Sequence, residues 1–300
     1  MTVFYDPLLK TFDDPDHTEN NGKDEREDGE RMTTTITPDR TPLRRAIVRV
    51  LKGQYMLLMF LVFGGGILFG HMLTPYLLLR DRLAGHDRQW NQRFYRGYVV
   101  LWLWLMEKGR LLKALPHKGK LMDGPCVLIA NHPGLFDILI MIRDVPKMSL
   151  IAKHSLRTGL GMGYLFRLAG WVFATGRSDA SMVLDTTNKA LEQLKDGYKF
   201  MLFPEGTRSP KHGLNRFRAG AFKLARTAHV PVQPVVIRNT PPFLPHEDRW
   251  FYPPYDISIV QLEFLDPLPP PIEKEERRTA AEMEGRFRST LNIKGEFETK

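Results

Sequence analysis

A single cysteine in 300 residues leaves nothing from which to build a disulfide framework. Cys126 stands inside the apolar run Cys126-Val127-Leu128-Ile129-Ala130, where it reads as a small buried hydrophobe in a chain suited to a reducing compartment. The amino-terminal stretch has no basic start followed by an apolar run and a small-residue cleavage site, so nothing there resembles a secretory signal. Residues 1–42 also hold few aliphatic side chains after Phe12, and they carry eleven Asp or Glu against five Lys or Arg. Such a segment cannot bury enough surface to offset the entropy of ordering it, and a disordered acidic tail is expected. Its net −6 leaves +15 on the remainder of a chain whose total is +9. The part that folds is therefore strongly basic, a surface suited to nucleic acid, anionic phospholipid or an acidic carrier of substrate.

Charge is what the next region lacks. From Gly53 to Leu79 there is no Asp, Glu, Lys or Arg, and 27 residues at 1.5 Å each would span ~40 Å as one helix, more than the ~30 Å hydrocarbon core of a bilayer. A membrane segment is expected. Gly64-Gly65-Gly66 and Pro75 weaken a helix, and basic residues flank the segment on both sides (Arg44, Arg45, Arg49 and Lys52 before it; Arg80, Arg82, Arg88, Arg93 and Arg96 after it). Since basic residues mark the cytoplasmic side, a re-entrant or half-inserted element fits this symmetry better than a simple crossing. The following stretch, Tyr98 to Met106, is aromatic-rich and too short to span; it suits a headgroup interface or packing against a globular domain.

From about Gly119 the pattern changes to short apolar runs alternating with helical periodicity. Strands are predicted at Cys126–Ala130, Trp171–Ala174, Lys199–Phe203, Val232–Ile237 and Ile257–Phe264, and helices at Leu135–Ile142, Leu156–Ala169, Ala180–Lys195 and Ala219–Thr227. The alternation predicts an α/β fold: a mixed, largely parallel sheet flanked by helices, with an N-terminal helical membrane-embedded element. The expected organisation is an acidic tail over 1–42, a membrane-associated helical motif over 43–113, a catalytic domain over 114–272 and a charged, solvated C-terminal tail over 273–300.

Two constellations follow predicted strands. In Asn131-His132-Pro133-Gly134-Leu135-Phe136-Asp137, Pro133 suits the first helical position, which places His132 at the N-cap. From there its side chain can turn back over the first turn to Asp137, giving an imidazole oriented by a carboxylate, the usual device for taking a proton from an alcohol. One His and one Asp lack the further ligands that zinc needs, and no metal is expected. In Phe203-Pro204-Glu205-Gly206-Thr207-Arg208-Ser209, Arg208 offers a planar fork matched to phosphate, while Glu205 can bind it or a neighbouring backbone and fix the loop. Both constellations sit at carboxyl ends of strands, where α/β sheets bind ligands.

Together these motifs resemble the signatures N-H-x4-D and F-P-E-G-T-R-S of the lysophospholipid acyltransferase family typified by 1-acylglycerol-3-phosphate acyltransferases. Two looser blocks also resemble that family, Gly170-Trp171-Val172-Phe173-Ala174-Thr175-Gly176-Arg177 and Val230-Pro231-Val232-Gln233-Pro234-Val235. The resemblance covers roughly residues 120–240. It implies that His132 and Asp137 are the catalytic pair, and that Glu205, Gly206, Thr207 and Arg208 hold the acceptor's phosphate together with Arg177. Lys153 stands where many members carry a lysine near that phosphate. Ala174-Thr175-Gly176 departs from the commoner second-block variants, and the Trp-, Tyr- and Pro-rich segment Asn239–Pro254 is not typical of phosphatidate-forming members, which bears on the acceptor.

The implied activity moves a fatty acyl group from acyl-CoA or acyl carrier protein, as co-substrate and with no cofactor, to the free hydroxyl of a lysophospholipid, with lysophosphatidate as the default acceptor. A lyso-aminolipid or a specialised polyene-type lipid is the alternative acceptor, and a non-catalytic lipid-binding membrane protein is the alternative from another class. A serine hydrolase would need a G-x-S-x-G elbow, which the chain lacks. The expected partners are membrane phospholipid, the lysolipid and the acyl donor, with no nucleic acid. The expected location is a bacterial inner membrane with the catalytic domain on its cytoplasmic side.

Overall fold

The computed structural model describes residues 41–84, 88–152, 170–173, 180–211, 213–244 and 253–293. Residues 1–40 of the tail expected over 1–42, and the expected helix at Leu156–Ala169, lie outside them; Thr41 and Pro42 belong to the first helix. Among the described residues the sheet has seven strands: β1 (Leu112–Ala114), β2 (Val127–Ala130), β3 (Met148–Ala152), β4 (Val172–Phe173), β5 (Lys199–Leu202), β6 (Val232–Thr240) and β7 (Ser258–Phe264). Their spatial order is β1-β7-β6-β2-β5-β3-β4, with β6 and β7 antiparallel and every other neighbouring pair parallel. The mixed, largely parallel sheet expected from the alternating pattern is what forms.

Strand β2 lies at the centre and is buried on both faces, as a parallel strand covered by helices must be. Its side chains alternate: Cys126, Leu128 and Ala130 join one apolar cluster, Val127 and Ile129 the other. The first cluster is completed by helices α1 (Thr41–Ala84), α2 (Arg88–Lys108) and α3 (Asp137–Asp144); the second by α4 (Ala180–Lys195), α5 (Gly220–Ala228) and α6 (Glu276–Thr290). Burial pushes the Cys126 thiol up to about 12 against the opposing charge of Lys199, so the side chain behaves as the apolar filler its surroundings require. Strands β1 and β3 are absent from the sequence reading: three residues at an edge and the run Met148-Ser149-Leu150-Ile151-Ala152 offer little periodicity of their own.

The charge-free segment does not bend back. It lies within α1, a single 44-residue helix that passes through Gly64-Gly65-Gly66 and Pro75, which corrects the expectation of a bend within the segment and leaves the half-inserted form of that expectation untouched. The reason is visible in the partner helix. A Cβ on Gly66 would collide with the ring of Tyr98, whose hydroxyl donates to the carbonyls of Val62 and Phe63 at 3.0 Å each. The glycine makes room for an aromatic ring instead of marking a break. Trp102 Nε1 donates to Met59 O at 2.9 Å, and Tyr55 OH donates to Leu105 O at 2.8 Å, so side chains fasten the two helices through backbone carbonyls. The stretch from Tyr98 to Met106 has two faces: Val99, Trp102, Leu103 and Met106 are buried in the core, whereas Leu101 and Trp104 are exposed. Within α1, Pro42–Gly70 is long and apolar enough to cross a membrane, and 11% of its most apolar window is buried in the protein.

The C-terminal segment also differs from expectation. Residues 276–290, expected to be a charged solvated tail, form α6, with Ala280, Met283 and Phe287 buried. These positions recur at three and four residues, an apolar stripe too thin to stand out among the seven charged side chains between Glu276 and Arg288 that surround it. Phe287 packs edge-on against Phe217 with ring centroids 5.1 Å apart. Phe287→Ala should lower the unfolding free energy by about 3–5 kcal/mol, read as a shifted urea midpoint at unchanged slope. A wild-type midpoint would show that α6 lies outside the cooperative unit.

Candidate active site

Strands β6, β2 and β5 run parallel side by side, so the segments leaving their carboxyl ends meet on one rim. Asn131 fixes the exit from β2. Its Nδ2 donates to Ile237 O at 2.9 Å and its Oδ1 accepts from Ile237 N–H at 2.7 Å, a two-way clasp onto β6 by a side chain that is itself buried. The next residue, His132, is thereby committed to the loop.

The loop after β5 is sewn to it. Ser209 N–H donates to His132 O at 2.8 Å, and His132 N–H lies 3.1 Å from both Glu205 Oε1 and Ser209 Oγ. The Ser209 hydroxyl donates to Glu205 Oε1 at 2.5 Å. Glu205 Oε2 accepts from Asn215 N–H at 2.8 Å and Asn215 Nδ2 at 3.1 Å, and the same Nδ2 reaches Arg208 O at 3.0 Å. Glu205 is 2% exposed. A buried carboxylate needs such donors to exist as an anion, and here its partners come from three places in the chain. Its geometry is that of a loop organiser turned inward, whereas Gly206 and Thr207 stand exposed beside it.

From sequence, His132 is expected at a helix N-cap with Pro133 as the first helical residue. In the structure Phe136 is the N-cap and Asp137 occupies the first turn of α3. Residues 133–135 remain loop because neighbouring backbone claims them: Leu135 N–H donates to Phe243 O at 3.3 Å, and a Cβ on Gly134 would stand 2.5 Å from Asn239 Nδ2 and 2.7 Å from Phe243 O. The helix N-terminus favours the Asp137 carboxylate. His132 and Asp137 still meet as expected, with Nδ1 2.9 Å from Oδ2. Gly134 N–H donates to the same oxygen at 2.7 Å, and Asn239 Nδ2 lies 3.5 Å from Oδ1.

Asp137 is 1% exposed and His132 15% exposed at the side chain, so the pair is sealed at its acid end and open at its base end. Burial holds the Asp137 carboxyl above the ordinary carboxylate range; the bond and charge of His132, the Gly134 N–H and the Asn239 amide oppose that shift. The imidazole lies flat on Phe203, with ring centroids 4.0 Å apart and planes 10° apart. Two sides of the ring are thus fixed, by the carboxylate and by the phenyl face. Behind them Phe136 packs against Trp102 at 4.8 Å and Phe243 at 5.4 Å, which ties the loop to α2 and to the segment after β6.

Among the expected phosphate contacts, Arg208 is brought to the same rim and is half-buried, with Nη1 donating to Leu244 O at 3.0 Å. Lys153 and Arg177 lie outside the described residues. Among the described residues no group of three or more His, Cys, Asp or Glu is placed to hold a metal ion. The supporting residues Asn215 and Asn239 are absent from the sequence reading. Neither carries a local signal, since their partners are 10 and 102 residues away.

Residues 110–238 match the Acyltransferase family. The chain is 38% identical over 120 residues to the 1-acyl-sn-glycerol-3-phosphate acyltransferase of Saccharomyces cerevisiae, covering 39% of each chain. It is 28% identical over 222 residues to a lyso-ornithine lipid O-acyltransferase of Pseudomonas aeruginosa, covering 68% of this chain and 81% of that one. A solved structure, the 1-acyl-sn-glycerophosphate (LPA) acyltransferase PlsC from Thermotoga maritima, superposes with a TM-score of 0.59 at 27% identity, over 84% of this chain and 99% of that one. The matched part of the chain spans about half or less of the length of several curated relatives, 39%, 52% and 51%.

Replacing Glu205 by Gln turns one acceptor oxygen into a donor group facing donors. Glu205→Gln should therefore lower stability by about 2–4 kcal/mol, nearly as much as Glu205→Ala. The check is the denaturation midpoint of each variant; a wild-type midpoint for the Gln form would mean that the carboxylate is not the acceptor that holds the loops.

Proposed function

We propose, on the match of residues 110–238 to the Acyltransferase family, that the chain transfers a fatty acyl group from a thioester donor, acyl-CoA or acyl carrier protein, to the free hydroxyl of lysophosphatidate. The observation that carries the reading is the His132–Asp137 pair. With Nδ1 engaged 2.9 Å from a carboxylate, Nε2 is left to face a substrate hydroxyl. The base takes the hydroxyl proton, the oxygen attacks the thioester carbonyl, and collapse of the tetrahedral intermediate breaks the C–S bond. The departing sulfur receives the proton from His132, so the base is regenerated and no acyl-enzyme is formed. Asp137 stabilises the imidazolium through the middle of this sequence.

The headgroup falls to the exposed turn at Gly206 and Thr207 and to Arg208, with Arg177 and Lys153 as further candidates from the motif resemblance. The apolar surface of α1, which exposes Leu57, Leu58, Leu61, Leu68 and Phe69, supports membrane association, where both the lysolipid and the product reside. A second acceptor is favoured by one observation: the similarity to the lyso-ornithine lipid enzyme extends over 68% of this chain, further than to the yeast relative. A lyso-aminolipid is therefore the acceptor to test beside lysophosphatidate.

Incubating the purified chain with acyl-CoA and each acceptor in turn, with product read by mass spectrometry, should give phosphatidate from lysophosphatidate. Formation of the acylated aminolipid alone would move the acceptor to the second reading. His132→Ala should reduce kcat by ~10²–10⁴-fold with the fold retained. More than a tenth of wild-type turnover in that variant would contradict His132 as the base.

A further inference from the structure

Thirteen residues after Glu205 the chain returns to the phosphate-side turn. The strap from Gly213 to Arg218 is pinned at both edges: Asn215 is bonded to Glu205, and Arg218 N–H donates to Pro204 O at 2.9 Å. From outside, α6 clamps the same strap. Glu284 Oε2 accepts from Phe217 N–H at 3.0 Å, Arg288 Nη2 donates to Leu214 O at 2.9 Å, and Glu284 and Arg288 are themselves paired at 2.9 Å. Four backbone or side-chain anchors over five residues fix where residue 218 stands.

Its guanidinium lies on Gly206. A Cβ built there would be 3.1 Å from Arg218 Cζ and 3.2 Å from Nη1, so the close approach is available because residue 206 has no side chain, at a backbone φ of +73° that glycine accepts readily. Arg218 is exposed, and beyond its backbone bond to Pro204 its guanidinium makes no hydrogen bond or ion pair to another described residue. In this it differs from Arg238, Arg226 and Arg288, each engaged with a carboxylate. The adjacent Glu205 makes no ion pair with it, since both carboxylate oxygens are turned to donors within the loop. A rigidly placed, uncommitted guanidinium flush with an exposed glycine turn is the arrangement that recognises a phosphate monoester by two parallel N–H donors.

We propose that Arg218 is a further binding residue for the acceptor's phosphate monoester, acting beside Arg208 across the Gly206 turn. The assignment rests on lysophosphatidate as acceptor. It is tested with the purified full-length chain in mixed micelles by measuring acceptor and donor kinetics for wild type, R218K and R218A. R218A should raise the acceptor KM on the order of ten- to a hundredfold with the donor KM unchanged, and R218K should recover part of that loss. An equal fall in kcat at an unchanged acceptor KM, or wild-type kinetics throughout, would overturn the assignment of Arg218. Failure of the wild-type protein to acylate lysophosphatidate would instead overturn the acceptor reading. Glycerol 3-phosphate supplies a readout independent of turnover: it should raise the Tm of wild type and not of R218A, and equal shifts in both would count against Arg218.

Discussion

A carboxylate sealed from water and turned back onto an imidazole is the constraint on which this molecule is organised. Asp137 sits at the start of a helix, 1% exposed, with His132, Gly134 and Asn239 as its partners among the described residues. An unpaired charge at such a depth is costly. The three donors make the anion tolerable, and one of them is the imidazole that the proposed reaction uses as its base. Burial and function are thus linked in one contact: the desolvation that raises the Asp137 carboxyl is opposed by the same imidazole it orients.

That contact depends on the loops being held at the right height above the sheet. Three adjacent parallel strands bring Asn131, Glu205 and Ile237 to one rim, and each loop then satisfies the polar groups of another. Glu205 is the centre of this exchange. The apolar helices enter through Phe136, which links the His132 loop to Trp102 and, through the Trp102–Met59 bond, to α1. The element suited to a lipid phase and the element suited to proton transfer therefore share one packed cluster.

Much of this was legible in the sequence where local pattern and final environment agree. The run Cys126 to Ala130 is apolar because its strand is buried on both sides, and α4 falls on the residues its periodicity indicates. The pairing of His132 with Asp137 was legible for the same reason: five residues separate them and a strand end delivers both. What was not legible depends on distant partners. The glycines of α1 read as breaks until Tyr98 fills the space beside Gly66. Likewise α6 read as solvated because three buried side chains in a charged segment acquire meaning only against Phe217 and α5, and Asn239 had no signal at all until β6 carried it to the rim.

The proposed transfer requires the imidazole to present Nε2 as a base while Asp137 accepts the proton of Nδ1. Long-range ¹H–¹⁵N correlation on ¹⁵N-histidine-labelled protein, with the His132 signals assigned by their loss in a His132 variant, reads this directly. Nδ1 protonated and Nε2 unprotonated at neutral pH is the result expected. A neutral ring carrying its proton on Nε2 would mean that Asp137 donates to Nδ1 instead, and the proton transfer described above would have no base to begin it.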